Sequence, residues 1–395
     1  MSMHSFPVVC AVICLVLGAD LARAEPYVPS ADSQVVERLP LRAADPAARE
    51  LAALRASWRR DPANVNGAVA LAMAYIDQAS AEGDPRYVSY AQSTLQRWWN
   101  LPEPPAAVRT VRAIVLQYDH RFDEALADLA AAARADPDDA LAWSWSTAIH
   151  LVRGNLDGAR QSCQRLSELA PDLVGAACRA QIDALTGRAR QAATSLRTAL
   201  QAHNDADPAL RLWALTRLAE TEERAGHAAA AEAAYRDALA LQRPDVYLQA
   251  AYADFLLDHG RAGEVLALLK DQSRADVLLL RLAIAAKLTG DARRDSLARE
   301  MTARFDAARA RGDTSHEKEE ARFALAVQGQ AERALQLALA NYRKQREVAD
   351  ARIVLEAAWA ARQRAAAEPV LQWMAATGVE SPALHALADK LKEMR

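Results

Sequence analysis

The stretch that decides the fold reads ALAWSWSTAIHLVRGNLDGARQSCQRLSELAP and covers residues 140–171. It contains two runs of helix-forming residues, separated by a Gly-Asn-Leu-Asp-Gly turn and closed by a proline. Glycine commonly ends helices and proline commonly opens them, so the stretch predicts two helices joined by a short turn. Asp136-Pro137 and Ala170-Pro171 are spaced by 34 residues, which indicates a repeating unit of that length.

The same features recur along the chain. Alanines stand where the two helices of a pair would cross, at Ala113, Ala125, Ala159, Ala219 and Ala231. Glycine-containing turns lie at 153–158, 186–191, 225–227, 259–263, 289–291 and 328–330. Apolar residues follow the three- and four-residue spacing of amphipathic helices, and no stretch alternates as a strand would. The sequence therefore predicts an all-α protein made of stacked antiparallel helix pairs.

This pattern resembles the tetratricopeptide repeat, whose unit has an early Trp, small residues at the helix crossing and a closing Pro. Trp143, Ala159 and Pro171 stand at those places. The resemblance is strong over 106–260 and looser after 276, where the register slips. It implies an α-solenoid wound as a right-handed superhelix with a long concave face. We expect tetratricopeptide-like repeats over 46–275, and degenerate repeats with a terminal helix over 276–395.

The N-terminus is predicted to be an export signal. Residues 6–19 form an apolar run, and the small residues of Ala22-Arg23-Ala24 precede Glu25, which fits a secretory signal peptide over 1–24. The run is too short to span a bilayer comfortably, although an uncleaved anchor is the alternative. Residues 25–45, rich in proline, are predicted to be an extended lead-in segment. We therefore expect a periplasmic protein with no membrane span in the mature chain.

Charge argues against a nucleic-acid partner. The chain has 48 basic and 51 acidic residues, a net charge of −3, and no basic patch or stripe. Neither metal-ligand spacing among the histidines nor a phosphate-binding loop is present, so we expect no metal and no cofactor. Glu380-Ser381 is reminiscent of the catalytic pair of peptidoglycan-cleaving enzymes with helical superhelices. Too few residues follow it for a saccharide-binding lobe, and Ser381-Pro382 instead predicts a helix start. We expect no catalytic residues.

Two cysteines remain after removal of the predicted signal peptide, Cys163 and Cys178. An even count in an oxidising compartment favours a disulfide. Both positions lie about equally far from the turn at Ala170-Pro171, so the two would stand at similar height in a helical hairpin. Two buried thiols are the alternative.

The family resemblance also suggests where a partner would bind, because ligands of such proteins commonly lie along the first helices of successive pairs. We predict a groove lined by residues of two such helices: Trp213, Glu220, Glu223, Arg224, Tyr247, Asp254 and Asp258. Two aromatics above a patch of carboxylates would suit a basic or amine-bearing segment. Alternatively, Trp213 and Tyr247 simply cap the stack.

These observations predict a binding protein and not an enzyme. The first hypothesis is a periplasmic scaffold or adaptor that binds a protein or peptide partner during assembly of a cell-envelope complex. The second is a permanent structural subunit of a larger envelope complex. A remote third is the helical superhelix of a peptidoglycan-active enzyme.

Overall fold

The computed structural model describes residues 31, 33, 34, 45–313 and 315–394. These residues form helices and connecting turns, with no strand among them. The structure thus confirms the all-α class and the stacking of antiparallel helix pairs. The predicted signal peptide, 1–24, lies outside the described residues, as does most of the lead-in segment, 25–45.

Successive helix pairs make up the array. Helix α1 (Pro46–Arg60) packs on the first pair. The first helices of the pairs are α2 (Val65–Glu82), α5 (Ala106–Tyr118), α7 (Ala140–Val152), α9 (Asp172–Ala184), α11 (Pro208–Arg224), α13 (Val246–Asp258), α15 (Asp276–Thr289), α17 (Glu317–Phe323) and α19 (Val348–Ala360). The second helices are α3 (Arg86–Thr94) continued by α4 (Gln96–Trp99), α6 (Phe122–Ala135), α8 (Leu156–Leu169), α10 (Ala189–Ala202), α12 (Ala228–Ala240), α14 (Ala262–Leu268), α16 (Arg294–Ala310), α18 (Ala331–Tyr342) and α20 (Glu368–Thr377). A π-helical turn (Ala324–Gln328) follows α17, a 3₁₀ turn (Arg364–Ala367) precedes α20, and α21 (Pro382–Glu393) comes last.

The stretch 140–171 forms the predicted helices α7 and α8, and a polar side chain caps the beginning of each. Asp139 caps α7 by accepting a hydrogen bond from the backbone N–H of Ala142 at 3.0 Å. Asn155 caps α8 in the same way. Gly154, in the turn between them, has φ +69°, a left-handed conformation that glycine adopts without the strain a side chain would bring.

The predicted crossing alanines are inaccessible to solvent. Ala113, Ala125, Ala159, Ala219 and Ala231 are each 0% exposed. A methyl side chain at the crossing lets the backbones of a pair approach closely, and the adjacent leucines then fill the space beside it. Close approach at each crossing therefore sets the thickness of every pair.

Two large apolar cores result from this stacking. The first runs from Leu173 on α9 to Phe323 on α17, and we call it the main core. The C-terminal core runs from Ala321 to Leu391 on α21. The stack changes from one core to the other on α17, where Ala321 belongs to the C-terminal core and Phe323 to the main core. The last helices are thus a separately packed section that joins the array at α17.

Cys163 on α8 and Cys178 on α9 are joined by a disulfide, with Cα atoms 6.0 Å apart. Of the two alternatives, the structure has the bridge and not the pair of thiols. The bridge links two neighbouring helix pairs, and its two cysteines are 15 residues apart in the sequence. A loop of that size stabilises the folded state by about 3 kcal/mol in the chain-entropy description.

We expect Ala231→Leu to destabilise the protein and Ala229→Leu, its exposed neighbour on α12, to be nearly neutral. Three additional carbons at the closed crossing force side chains off their rotamers, at a cost of about 1–3 kcal/mol, whereas an exposed site changes stability by less than about 0.5 kcal/mol. Urea unfolding followed by helical circular dichroism measures both. Equal midpoints for the two variants would contradict the assigned crossing.

Candidate partner-binding cleft

The predicted binding residues lie on the neighbouring first helices α11 and α13. Each helix begins at an aspartate cap: Asp207 accepts from the N–H of Ala209 at 2.8 Å, and Asp245 accepts from the N–H of Leu248 at 2.7 Å. With the starts fixed, the leucine and alanine stripes of both helices enter the main core. Their polar stripes face α17 and the first half of α19, where Arg322 and Arg352 pair with Asp254 and Asp258. We call the space between these four helices the inner cleft.

Tyr247 is the central exposed group of the inner cleft. It is 51% exposed, whereas most large apolar side chains of the array are buried. Its hydroxyl donates to Glu220 Oε1 at 2.5 Å and accepts from Arg217 Nη1 at 3.2 Å. The Arg217 guanidinium also lies over the ring, 4.5 Å from its centre, and pairs with Glu220 at 3.0 Å. These contacts hold the phenol in one orientation while about half of its surface stays accessible to solvent.

Glu223, one helical turn beyond Glu220, is a carboxyl group in an acidic neighbourhood. Tyr235 donates its hydroxyl hydrogen to Glu223 Oε1 at 2.5 Å. Burial, with the charges of Glu220 and Asp258 acting in the same direction, raises the pKa of Glu223 to about 8. The hydrogen bond from Tyr235 favours the charged form but does not offset these effects. Near neutral pH this group is therefore largely protonated.

Glu347, at the start of α19, faces the same part of the cleft. Burial raises its pKa, and Asp350 and Glu220 raise it further, against the opposing effect of Lys318. The region around Tyr247 thus has more carboxyl groups than cations to pair with them. We refer to Arg217, Glu220, Glu223, Tyr247 and Glu347 together as the Tyr247 cluster.

Asp254 and Asp258 differ from the prediction, because arginines of later helices already pair with them. Arg281 bonds Asp254 at 2.5 Å, and Arg322 does so at 2.7 Å. Arg352 holds Asp258 through two hydrogen bonds of 2.5 and 2.7 Å. Burial alone would raise the pKa of Asp254, but Arg281 and Arg322 keep it below its usual range. The expected excess of acid is therefore confined to the Tyr247 cluster and does not extend to the end of α13.

Trp213 and Arg224 take no part in that cluster. Trp213 is half-buried and packs against the main core. Arg224, in the last turn of α11, lowers the pKa of Glu223 only slightly, since it is the last of the charges that act on that group. Tyr247 and Glu220 are the predicted residues that the structure brings into direct contact.

Sequence reasoning missed the residues that complete the cleft from its other side: Lys318, Arg322, Glu347 and Arg352. Arg322 and Arg352 lie 68 and 94 residues after Asp254 and Asp258, and Lys318 reaches the cleft through its ion pair with Glu347. Glu220 and Arg217 could have been paired from their spacing of three on one helix face. No local pattern marks the others, because their approach depends on how far the array turns between one pair and the next.

Other kinds of site are not evident in the described part of the chain. No three His, Cys, Asp or Glu side chains there are grouped so as to hold a metal ion. None of the described helices combines the length and the apolar character needed to cross a membrane. A hollow of about 330 Å³ between α1, α2 and α3 is lined by Arg55, Trp58, Arg59, Tyr75 and Tyr90. It lies outside the first-helix stripe that the resemblance to tetratricopeptide repeats singles out.

Comparison with known proteins bears on the fold. No protein-family model matches the sequence, and no curated protein matches it at a significant level. The chain is similar in structure to a chain of the APC/C hetero-tetramer Cut9–Hcn1, with 12% identity and a TM-score of 0.48. That match covers 84% of this chain and 64% of the other, so the chain spans less than two thirds of it. A tetratricopeptide repeat protein from Parabacteroides merdae shows 11% identity and a TM-score of 0.37, over 74% of this chain and 98% of that one.

A third similar structure is the human IFIT1 dimer with m7Gppp-AAAA, at 12% identity and a TM-score of 0.41, covering 87% of each chain.

The repeat geometry of this chain is itself diagnostic of its fold. Helices α5 and α7, like α6 and α8, begin 34 residues apart, and each pair crosses at an inaccessible alanine. The chain is therefore an α-solenoid of the tetratricopeptide type, a fold with an extended concave surface.

The raised pKa of Glu223 predicts a pH-dependent stability. Its pKa in the folded state, about 8, lies above the ordinary value of 4.5, so the folded state binds the extra proton between these values. Stability is then fully present below about pH 4.5 and falls as the pH rises toward 8. Replacing Glu223 with Gln removes this component, and we expect the melting temperature of Glu223→Gln to decline less over that range than that of the wild type.

A matched control is Glu264→Gln. Glu264 is exposed on α14, and its hydrogen bond with Arg261 keeps its pKa below the usual range, the opposite direction to the shift of Glu223, so it does not lose its proton as the pH rises toward 8. Its pH profile should parallel that of the wild type. Parallel profiles for all three proteins would show that Glu223 is ionised normally.

Proposed function

We propose that this protein is an exported periplasmic scaffold that binds a cationic segment of a protein partner at the Tyr247 cluster during assembly of a cell-envelope complex. The tetratricopeptide-type fold supports a role in protein–protein interaction. The periplasmic location and the envelope complex are inferences from the export signal and from the resemblance to repeat proteins of the envelope.

The observation that carries the proposal is the half-exposed Tyr247, which lies among carboxyl groups that outnumber the cations available to pair with them. Tyr247 supplies an open aromatic face, which attracts an ammonium or guanidinium group. Glu223 and Glu347 have raised pKa values, so an incoming cation would favour their charged forms and gain two ionic partners. A lysine, an arginine or an amino terminus of the partner fits this chemistry.

Export is supported by two features at separate places in the chain. The apolar run and the Ala22-Arg23-Ala24 site have the form of a cleaved signal peptide. The disulfide between Cys163 and Cys178 belongs to proteins of oxidising compartments and is rare in a bacterial cytosol.

Neither rival hypothesis has a specific observation in its favour. Large exposed apolar side chains of the described residues are distributed over different elements, as on ordinary soluble proteins: Tyr90, Leu101, Leu141, Tyr247, Leu288 and Trp359. A permanent subunit would rather show them as one patch. Glu380 accepts the backbone N–H of Ala189 at 2.5 Å, and Ser381 caps α21 through the N–H of Leu384, so both have structural roles.

Intact-mass spectrometry of unreduced protein recovered from the periplasm tests the export hypothesis. We expect a chain that begins at Glu25 and is lighter by two hydrogens than the reduced sequence, because Cys163 and Cys178 are joined. Reduction should restore the two hydrogens. A mass that retains residues 1–24 would contradict the signal peptide, and an unchanged mass on reduction would contradict the bridge.

Photo-crosslinking in living cells tests the binding site. A benzophenone amino acid placed at Tyr247 should form a covalent adduct with a defined partner. The same residue placed at Asp237, exposed on the second helix α12, should not. Adduct formation near position 247 should weaken when Glu223 and Glu347 are both changed to Gln, because the cation loses its ionic partners. Equal adducts from both positions, or adducts insensitive to the Gln changes, would place the binding surface elsewhere.

A further inference from the structure

Turns of the early helix pairs contact segments about 190 residues later in the chain. Asp84, after α2, is bonded by Arg274, before α15, across 190 residues. The backbone N–H of Ala189 donates to Glu380 across 191 residues. The N–H of Arg346 donates to the carbonyl of Val152 at 2.7 Å. With a unit of about 34 residues, the array returns to itself after five to six helix pairs. We call this row of contacts the seam.

Glycines let the two sides of the seam approach closely. A Cβ added to Gly154 would lie 3.1 Å from Cβ of Arg346. One added to Gly187 would lie 3.2 Å from the carbonyl oxygen of Gly378. Both distances are shorter than ordinary carbon contacts, so the seam is a fitted interface and not a chance proximity. These turn glycines serve both the left-handed turn and the approach of the later segment.

Ion pairs also cross the inner cleft itself. Arg352, at the start of α19, reaches Asp258 at the end of α13, 94 residues away. Arg322 on α17 reaches Asp254 on α13. Their guanidinium groups therefore occupy the end of the acidic stripe that a cationic partner would approach. The chain's own arginines take the place that partner arginines or lysines would take.

The contacts that close the seam and the cleft are mostly polar. The last helices have their own apolar core, from Ala321 to Leu391, and it stays intact when they move as a body. Their apolar contacts with the earlier array include Leu185, which packs against the C-terminal core, and Phe323, which belongs to the main core. Partly exposed ion pairs contribute little stability and weaken further with salt. Opening of the seam is thus cheaper than unfolding of either core.

We propose that the part of the seam formed by Arg346 and Glu380 gates the inner cleft, so that a partner segment reaches the Tyr247 cluster only when the last helices swing away from α7–α13. The cations of the partner then replace Arg322 and Arg352 on Asp254 and Asp258, which favours the open arrangement. This inference rests on the proposed function of the cluster. It also predicts that the partner segment must compete with Arg322 and Arg352 of the same chain for Asp254 and Asp258.

Thiol accessibility tests the gate without any partner. Tyr247→Cys provides the probe in a chain whose Cys10 and Cys14 are Ser, since Cys163 and Cys178 are already joined. N-ethylmaleimide, a small reagent, should react readily. A maleimide carried on a long poly(ethylene glycol) should react about tenfold or more slowly than with the exposed control Asp237→Cys, because only open molecules admit it.

A charge reversal and its swap separate gating from misfolding. Arg352→Asp places like charges against Asp258 and should abolish most of the protection from the large reagent. Adding Asp258→Arg restores an opposite pair and should restore the protection, which a misfolded protein could not do. The proposal would be overturned if, without any change at Arg352, the large reagent reacted equally fast at positions 247 and 237. It would also be overturned if Arg352→Asp left the protection of position 247 unchanged. Neither outcome would bear on the crosslinking at Tyr247, so the proposed function is tested separately.

Discussion

The close crossing of helices over alanine is the constraint on which the rest of the structure depends. Ala113, Ala125, Ala159, Ala219 and Ala231 leave no accessible surface at these crossings, so each pair is thin and can lie against the next. Thin pairs stacked with a constant rotation make a curved array whose first helices share one inner face. The rotation per pair then decides which distant residues meet, and here it brings residues about 190 apart into contact.

Electrostatics divides the inner face into two parts. Around Asp254 and Asp258 the favourable pairing with three arginines outweighs the cost of burial, and the pKa of Asp254 falls. Around Glu223 and Glu347 the balance is reversed, because burial and neighbouring carboxylates outweigh Lys318, which lies 3.8 Å from Glu347, and because Arg217 is already paired with Glu220. The carboxylates at Asp254 and Asp258 are therefore paired within the chain. Those at Glu223 and Glu347 are buried beside other carboxylates, an unfavourable arrangement that a cation would relieve. This contrast is the basis on which we propose recognition at Tyr247 and a closing role for the arginines of α17 and α19.

Much of the fold could be predicted from local pattern. The turn glycines, the Asp and Asn helix caps and the small crossing residues each act within one or two helices, so their spacing is visible in the sequence. The same holds for Cys163 and Cys178, which flank one turn, and for the pairing of Glu220 with a neighbour on its own helix. Tyr247 was found because its helix start and its stripe are both locally defined.

The partners of Asp254 and Asp258 could not be predicted in this way. Arg322 and Arg352 reach them only because small rotations accumulate over several pairs, and a slight change in each rotation would separate them. Trp213 shows a related limit, since the stripe that it shares with Glu220 is wide enough for one edge to enter the core. Local spacing defines a face of a helix, whereas stacking decides which part of that face stays exposed.

Hydrogen–deuterium exchange on the protein purified together with its native partner tests the central claim most directly, because it maps the contact surface without any substitution. The account predicts slower exchange in α11, α13 and the start of α19 than in the protein alone, and faster exchange in the seam segments around Arg346 and Gly378. Protection confined to second helices such as α12, with α11 and α13 unchanged, would contradict it.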